Sequence, residues 1–200
     1  MTTYAFPSIT PTDSQFTLIS NTRTFVSPIT GYSQTVARKG SRWKVSLNFR
    51  NLDGDSRAEL QAFLVKLDGQ THRFTLHDHA YTRRGTGNNT GAPAVNGASQ
   101  LGSSLILNNA TASVTNWLRA GDYLGVNNQL FMVTDDCNSD GSGGVTVNIK
   151  PPIRTSPADT ATVDISAPIT GVFMLANDAS WSNTAGVFSN FTLEAIEDIA

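Results

Sequence analysis

The sequence holds a single cysteine, Cys137, among 200 residues, which excludes an intrachain disulfide and fits folding in a reducing compartment. Charge is sparse too: 14 Lys and Arg against 16 Asp and Glu leave a net charge of −2 and a pI near 5.8. Such a chain lacks the basic footprint by which proteins hold phosphate backbones, so no nucleic-acid sequence recognition is expected. No apolar run approaches the roughly 20 residues of a membrane span, and Met1 to Pro7 contain neither a basic leader nor an apolar stretch. The expectation is a soluble protein made in a cytosol, with no membrane partner.

Catalytic signatures are missing as well. There is no G-x-S-x-G elbow to present a nucleophile and no G-K-[ST] phosphate loop. Cys137 follows Asp135 and Asp136, whose charge would raise the thiol pKa rather than activate it. No enzymatic activity, catalytic residue or cofactor is expected.

What fills the chain is Thr, Ser, Asn and Gly, which suit strands and turns better than helices. Trp43, Val45, Leu47 and Phe49 alternate with Lys44, Ser46, Asn48 and Arg50, the period-two pattern of a half-buried strand. Phe16 to Ile19, Thr22 to Val26 and Gln34 to Arg38 read as shorter strands separated by turn signals. A helix follows, with Ser56 as its expected N-cap and Glu59 completing a capping box. Leu60, Phe63, Leu64 and Leu67 lie at i, i+3, i+4 and i+7, a stripe that packs on a sheet, and Gly69 stands at the C-terminal stop. Alternation resumes at Arg73 to Leu76.

From Gly85 to Ser104 the composition shifts to Gly, Asn, Thr, Ala and Ser and reads as a linker or long loop. Beyond it come five short strands, Leu105 to Leu107, Tyr123 to Val126, Gln129 to Thr134, Val145 to Ile149 and Thr162 to Ile165. Asn127-Asn128 supplies a tight hairpin turn and Asp135 to Gly144 a longer one, so this stretch predicts a small barrel or sandwich. Gly171 to Leu175 and Ser189 to Ile196 again read as strands. The simplest arrangement joins them to the N-terminal sheet, giving a discontinuous domain of residues 1–84 and 170–200 with an inserted β domain at 85–169.

Four groups of residues invite a chemical reading. His77 and His79, at i and i+2 on a strand, point the same way and could share a metal with His72 or a carboxylate; the simpler reading is a polar strand end. Asp136, Asn138, Asp140 and Gly141 begin like a calcium loop, but the twelfth position is Val147, so turn chemistry explains them better. Glu194, Glu197 and Asp198 could form an acid pair, against the simpler reading of a solvated strand end. Trp117 and Trp181 sit in loop-like contexts and are the candidate interface or glycan contacts, with burial under a loop as the alternative.

The stretches Trp43-Lys-Val-Ser-Leu-Asn-Phe-Arg-Asn-Leu, Arg57-Ala-Glu-Leu-Gln-Ala-Phe-Leu-Val-Lys-Leu-Asp-Gly-Gln and Arg73-Phe-Thr-Leu resemble the belt region of distal tail proteins of long-tailed phages. Ser189-Asn-Phe-Thr-Leu-Glu-Ala-Ile-Glu-Asp is similar to that region's closing strand, and the four together cover about a fifth of the chain. Gly121-Asp-Tyr-Leu-Gly-Val, Asp140-Gly-Ser-Gly and Pro151-Pro-Ile-Arg resemble the inserted hairpin domain of such proteins. The resemblance implies a mainly β fold with one helix, a β-sandwich belt carrying an inserted β domain. It also implies a homohexameric ring that contacts the tail tube and the hub and tape-measure proteins. The place of action would be the virion tail, assembled in the host cytoplasm. The alternatives are a carbohydrate-binding module of a virion tail, or another small tail ring protein such as a terminator or connector.

Overall fold

A computed structural model of the chain describes residues 1–88, 91–166, 169–176, 180–183 and 189–198. The fold is mainly β, with 46% strand, one helix among the described residues, and several sheets of which one is nearly closed and barrel-like. Seven strands make the first sheet: β1 (Thr3–Ala5), β2 (Asp13–Ile19), β5 (Arg42–Leu52), β6 (Arg73–His77), β13 (Thr170–Leu175), β14 (Ser180–Asn183) and β15 (Ser189–Glu197). Its order is β1-β6-β13-β15-β5-β2, with β14 also paired to β15. Between β2 and β5 the chain forms a separate two-stranded ribbon, β3 (Thr22–Val26) and β4 (Ser33–Ala37).

The alternation in Trp43 to Phe49 has the expected consequence. Trp43, Val45, Leu47 and Phe49 are buried while Lys44, Ser46 and Asn48 lie on the other face. Phe191, Leu193 and Ala195 stand opposite Phe49, Leu47 and Val45, so the register places two apolar sets side by side on one core face. Helix α1 (Gly54–Leu67) covers part of that face with Leu60, Phe63, Leu64 and Leu67. Phe63 meets Phe74 edge to face at 5.8 Å between centroids.

The helix begins one turn earlier than the capping box predicts. Asp53 is the N-cap: it has extended backbone, and its carboxylate accepts the Ser56 N–H at 2.8 Å. Ser56 therefore lies inside the first turn. At the other end Asp68 and Gly69 both adopt positive φ, 49° and 60°, so the left-handed stop begins at Asp68.

The second sheet is built from the middle of the chain, in the order β12-β9-β10-β11-β8-β7. Its strands are β7 (Ala94–Val95), β8 (Gly102–Asn108), β9 (Tyr123–Val126), β10 (Gln129–Val133), β11 (Val145–Ile153) and β12 (Val163–Asp164). The two ends of this order approach each other: Val95 N donates to Ala161 O and Val163 N to Pro93 O, each at 2.9 Å, which nearly closes the barrel. Asn127 and Asn128, at φ 49° and 61°, make the tight turn between β9 and β10.

The stretch from Gly85 to Ser104 is not a linker. It contributes β7 and the start of β8, and Val95 is fully buried in the barrel core. Thr86 N donates to Asn116 O and Gly87 N to Trp117 O, each at 2.9 Å. A Cβ on Gly85 would stand 2.6 Å from Trp117 O, so small residues there allow close backbone approach rather than slack.

Candidate assembly interface

The ribbon β3–β4 is the most exposed feature of the molecule. All ten of its strand residues are exposed, and among the described residues its strands pair only with each other. Ile19 faces Arg42 at the end of the main sheet and Thr22 faces Ala37 at the start of the ribbon, so the ribbon prolongs the β2–β5 pair outward as an arm. Five paired steps of about 3.4 Å carry it roughly 17 Å from the sheet. Asn21 fastens the base, its side-chain amide donating to Lys39 O at 2.7 Å and its backbone oxygen accepting from Arg38 N at 2.8 Å. At the tip, Ser27 N donates to Tyr32 O at 2.9 Å.

This arm is apolar where water would favour polar residues. Ile29 is 92% exposed and Tyr32 81%, and Phe25, Val26 and Val36 are exposed as well. A lone two-stranded hairpin is marginal in water, and contiguous exposed apolar groups mark surfaces that bind. Residues 20–41 also carry Arg23, Arg38 and Lys39 and no acid, so with the whole chain at −2 the remainder stands at −5. Asp53, Asp55 and Glu59 are exposed around the helix start, with Arg50 and Arg57 among them.

The barrel is seated firmly on the main sheet. Tyr123, Leu130 and Ile169 belong to the same hydrophobic cluster as Trp43 and Phe173, with Phe16 packed against it. Trp43 donates its indole N–H to Leu130 O at 3.0 Å. The fully buried Glu197 carboxylate accepts from Trp43 N and from both Nη atoms of Arg154, the shorter contact being 2.6 Å. A second fully buried carboxylate, Asp122, accepts from Arg84 N, Gly85 N, Arg119 N and the Tyr81 hydroxyl. Asp122 thus fastens the segment that enters the barrel to the turn before β9, and Glu197 fastens the chain just after β11 to the main sheet.

The C-terminal acids thus do not form an acid pair, and of the three only Glu194 is solvated. Glu197 shares the inward parity of Phe191, Leu193 and Ala195, whereas Glu194 points outward to Lys44 at 3.0 Å. Asp198 is paired with Arg73 at 2.6 Å. Trp117 has no exposed surface; it lies in the barrel core under Gly87, which rules it out as a surface contact. Trp181 is 39% exposed and stacks on Phe191 with centroids 6.2 Å apart.

The calcium-like residues turn to separate partners. Asp136 accepts from Ala120 N, Asn138 from Asn116 N, and Asp140 from Ser142 N and Gly144 N. Those bonds, with the Ser142 hydroxyl first, hold the Asp140 carboxyl below the usual range. Burial above all, with Asp122 and Asp136 adding to it, pushes the Cys137 thiol up. His72 accepts from Thr2 N and packs on Tyr4, away from the other two histidines. The rings of His77 and His79 lie 4.1 Å apart, and burial lowers both pKa values.

Comparison with known protein families and with curated proteins finds no match.

Proposed function

We propose that this chain is a structural subunit of a phage tail, a ring-forming protein at the tail tip that joins the tube to the hub. The observation that carries this reading is the β3–β4 arm, an extended, apolar and basic hairpin. Its best occupant surface is a second copy, whose body outside the arm carries net negative charge. A head-to-tail contact of this kind closes into a ring when the rotation per subunit is fixed, and the rigid seating of barrel on sheet favours a fixed rotation. In this role residues 1–84 and 170–200 form the ring belt and residues 85–169 face neighbouring tail proteins. The tube protein, the hub and the tape-measure protein are the implied partners.

Light scattering on the purified chain, followed by class averages in the electron microscope, tests the proposal. A six-fold ring is expected. A chain that stays monomeric at high concentration rejects the reading, and a ring imaged at the head-proximal end of a virion would reassign it to a terminator or connector.

A further inference from the structure

We propose that His77 and His79 form a two-imidazole binding site for a borderline-soft divalent metal ion such as Zn²⁺ or Ni²⁺. The inference is independent of the ring. His77 ends β6 and His79 lies two residues on in the following turn, where the two rings meet with centroids 4.1 Å apart at an interplanar angle of 32°. Two nitrogens bound to one tetrahedral ion lie about 3.3 Å apart, given metal–nitrogen bonds of about 2.0–2.1 Å. Stacked as they are, the two rings must turn for a nitrogen of each to converge on one ion.

The surroundings fit the ion. An open cleft of about 370 Å³ borders both rings, walled also by Ser8, Thr10, Thr75 and Thr170. It leaves room for water to complete the coordination sphere. Nδ1 of His79 is buried with no hydrogen-bond partner, so this ring carries a polar atom the fold leaves unsatisfied. The edge of Phe6, 6.4 Å from the His79 centroid, holds the ring in place. Burial lowers both imidazole pKa values, which favours the neutral form that binds metal. Asp78 is turned elsewhere, its carboxylate accepting from Ala80 N and the Tyr123 hydroxyl, so the donor set is nitrogen with water or hydroxyl. Imidazole donors of this kind select Zn²⁺, Ni²⁺ and Cu²⁺ over Mg²⁺ and Ca²⁺. The described residues hold no cluster of three or more His, Cys, Asp or Glu suited to a metal, so the pair stands as an open, exchangeable site.

Calorimetric titration of chelator-treated full chain with ZnCl₂ is the test, with His77→Ala, His79→Ala and His72→Ala beside it. One ion per chain is expected, with affinity reduced by about tenfold or more in either of the first two variants and unchanged in the third. Imidazole ¹⁵N resonances of the wild-type chain give a reading that does not depend on a variant folding: Zn²⁺ should shift those of His77 and His79 and leave His72 in place. Absence of saturable binding, full affinity in either single variant, or a shift confined to His72 overturns the proposal.

Discussion

Glu197 occupies the last inward position of β15, where the three preceding inward residues are Phe191, Leu193 and Ala195. Its charge is met by Arg154, the residue that follows β11 of the other sheet, in a two-pronged contact of which one prong is 2.6 Å. Removing one member of such a buried pair leaves the other uncompensated, so Arg154→Ala should lower unfolding free energy by about 3–5 kcal/mol in denaturant titration. A loss below about 1 kcal/mol would show that water reaches Glu197. The sequence suggests a solvated end for Glu197, because the strand reads only to Ile196 and the pairing with Arg154 is made by the tertiary fold alone. Tyr81 and Tyr123 belong to the same junction, and burial pushes the Tyr81 hydroxyl up to about 12 and that of Tyr123 up as well. Both raised pKa values favour the neutral form in the folded state, so this stability is complete below about pH 10 and is lost as pH rises toward about 12. Absorbance at alkaline pH should show two late-ionising tyrosines whose titration coincides with unfolding.

Helix α1 and strand β5 were readable because each has a long, unbroken period, 3.6 in one and 2 in the other. Two sequence features competed at the helix start. Ser56 with Glu59 makes a capping box, yet Asp53 with its carboxylate on Ser56 N wins and adds a turn. Strands β1, β7 and β14 escaped reading because three, two and four residues carry too little alternation to stand out. The glycines after Gly85 suggest slack by composition alone, whereas Gly85 and Gly87 let the chain lie close against Trp117. On the helix, Leu64→Ala should cost about 2–5 kcal/mol, while Val65→Ala on the exposed face should stay within about 0.5 kcal/mol. Equal effects would mean that the stripe does not face the sheet. The arm makes the opposite demand. A Phe25→Ser, Ile29→Ser double variant should leave the melting temperature of the subunit unchanged and abolish self-association in light scattering, because these side chains are exposed within one copy. Retained assembly would remove the arm from the interface.

At the scale of the molecule, two sheets that could each be drawn as a separate unit share packing. Tyr123, Leu130 and Ile169 enter the cluster built around Trp43 and Phe173, and the Trp43 indole is anchored on Leu130 O. One calorimetric transition is therefore expected for the whole chain, and two resolved transitions would show that the junction contributes little. Sheet order has a further consequence, for synthesis. The strand lodged between β5 and β13 is β15, which leaves the ribosome after every other strand of that sheet. Until it emerges, the backbone edge of β5 and the side chains of Val45 and Leu47 have no neighbour on that side, and the only remedy is a contact well over a hundred residues distant, such as Leu47 with Leu193. The sheet therefore stays open until β15 has been made, and an unpaired β5 edge of that kind is a template for pairing with another chain.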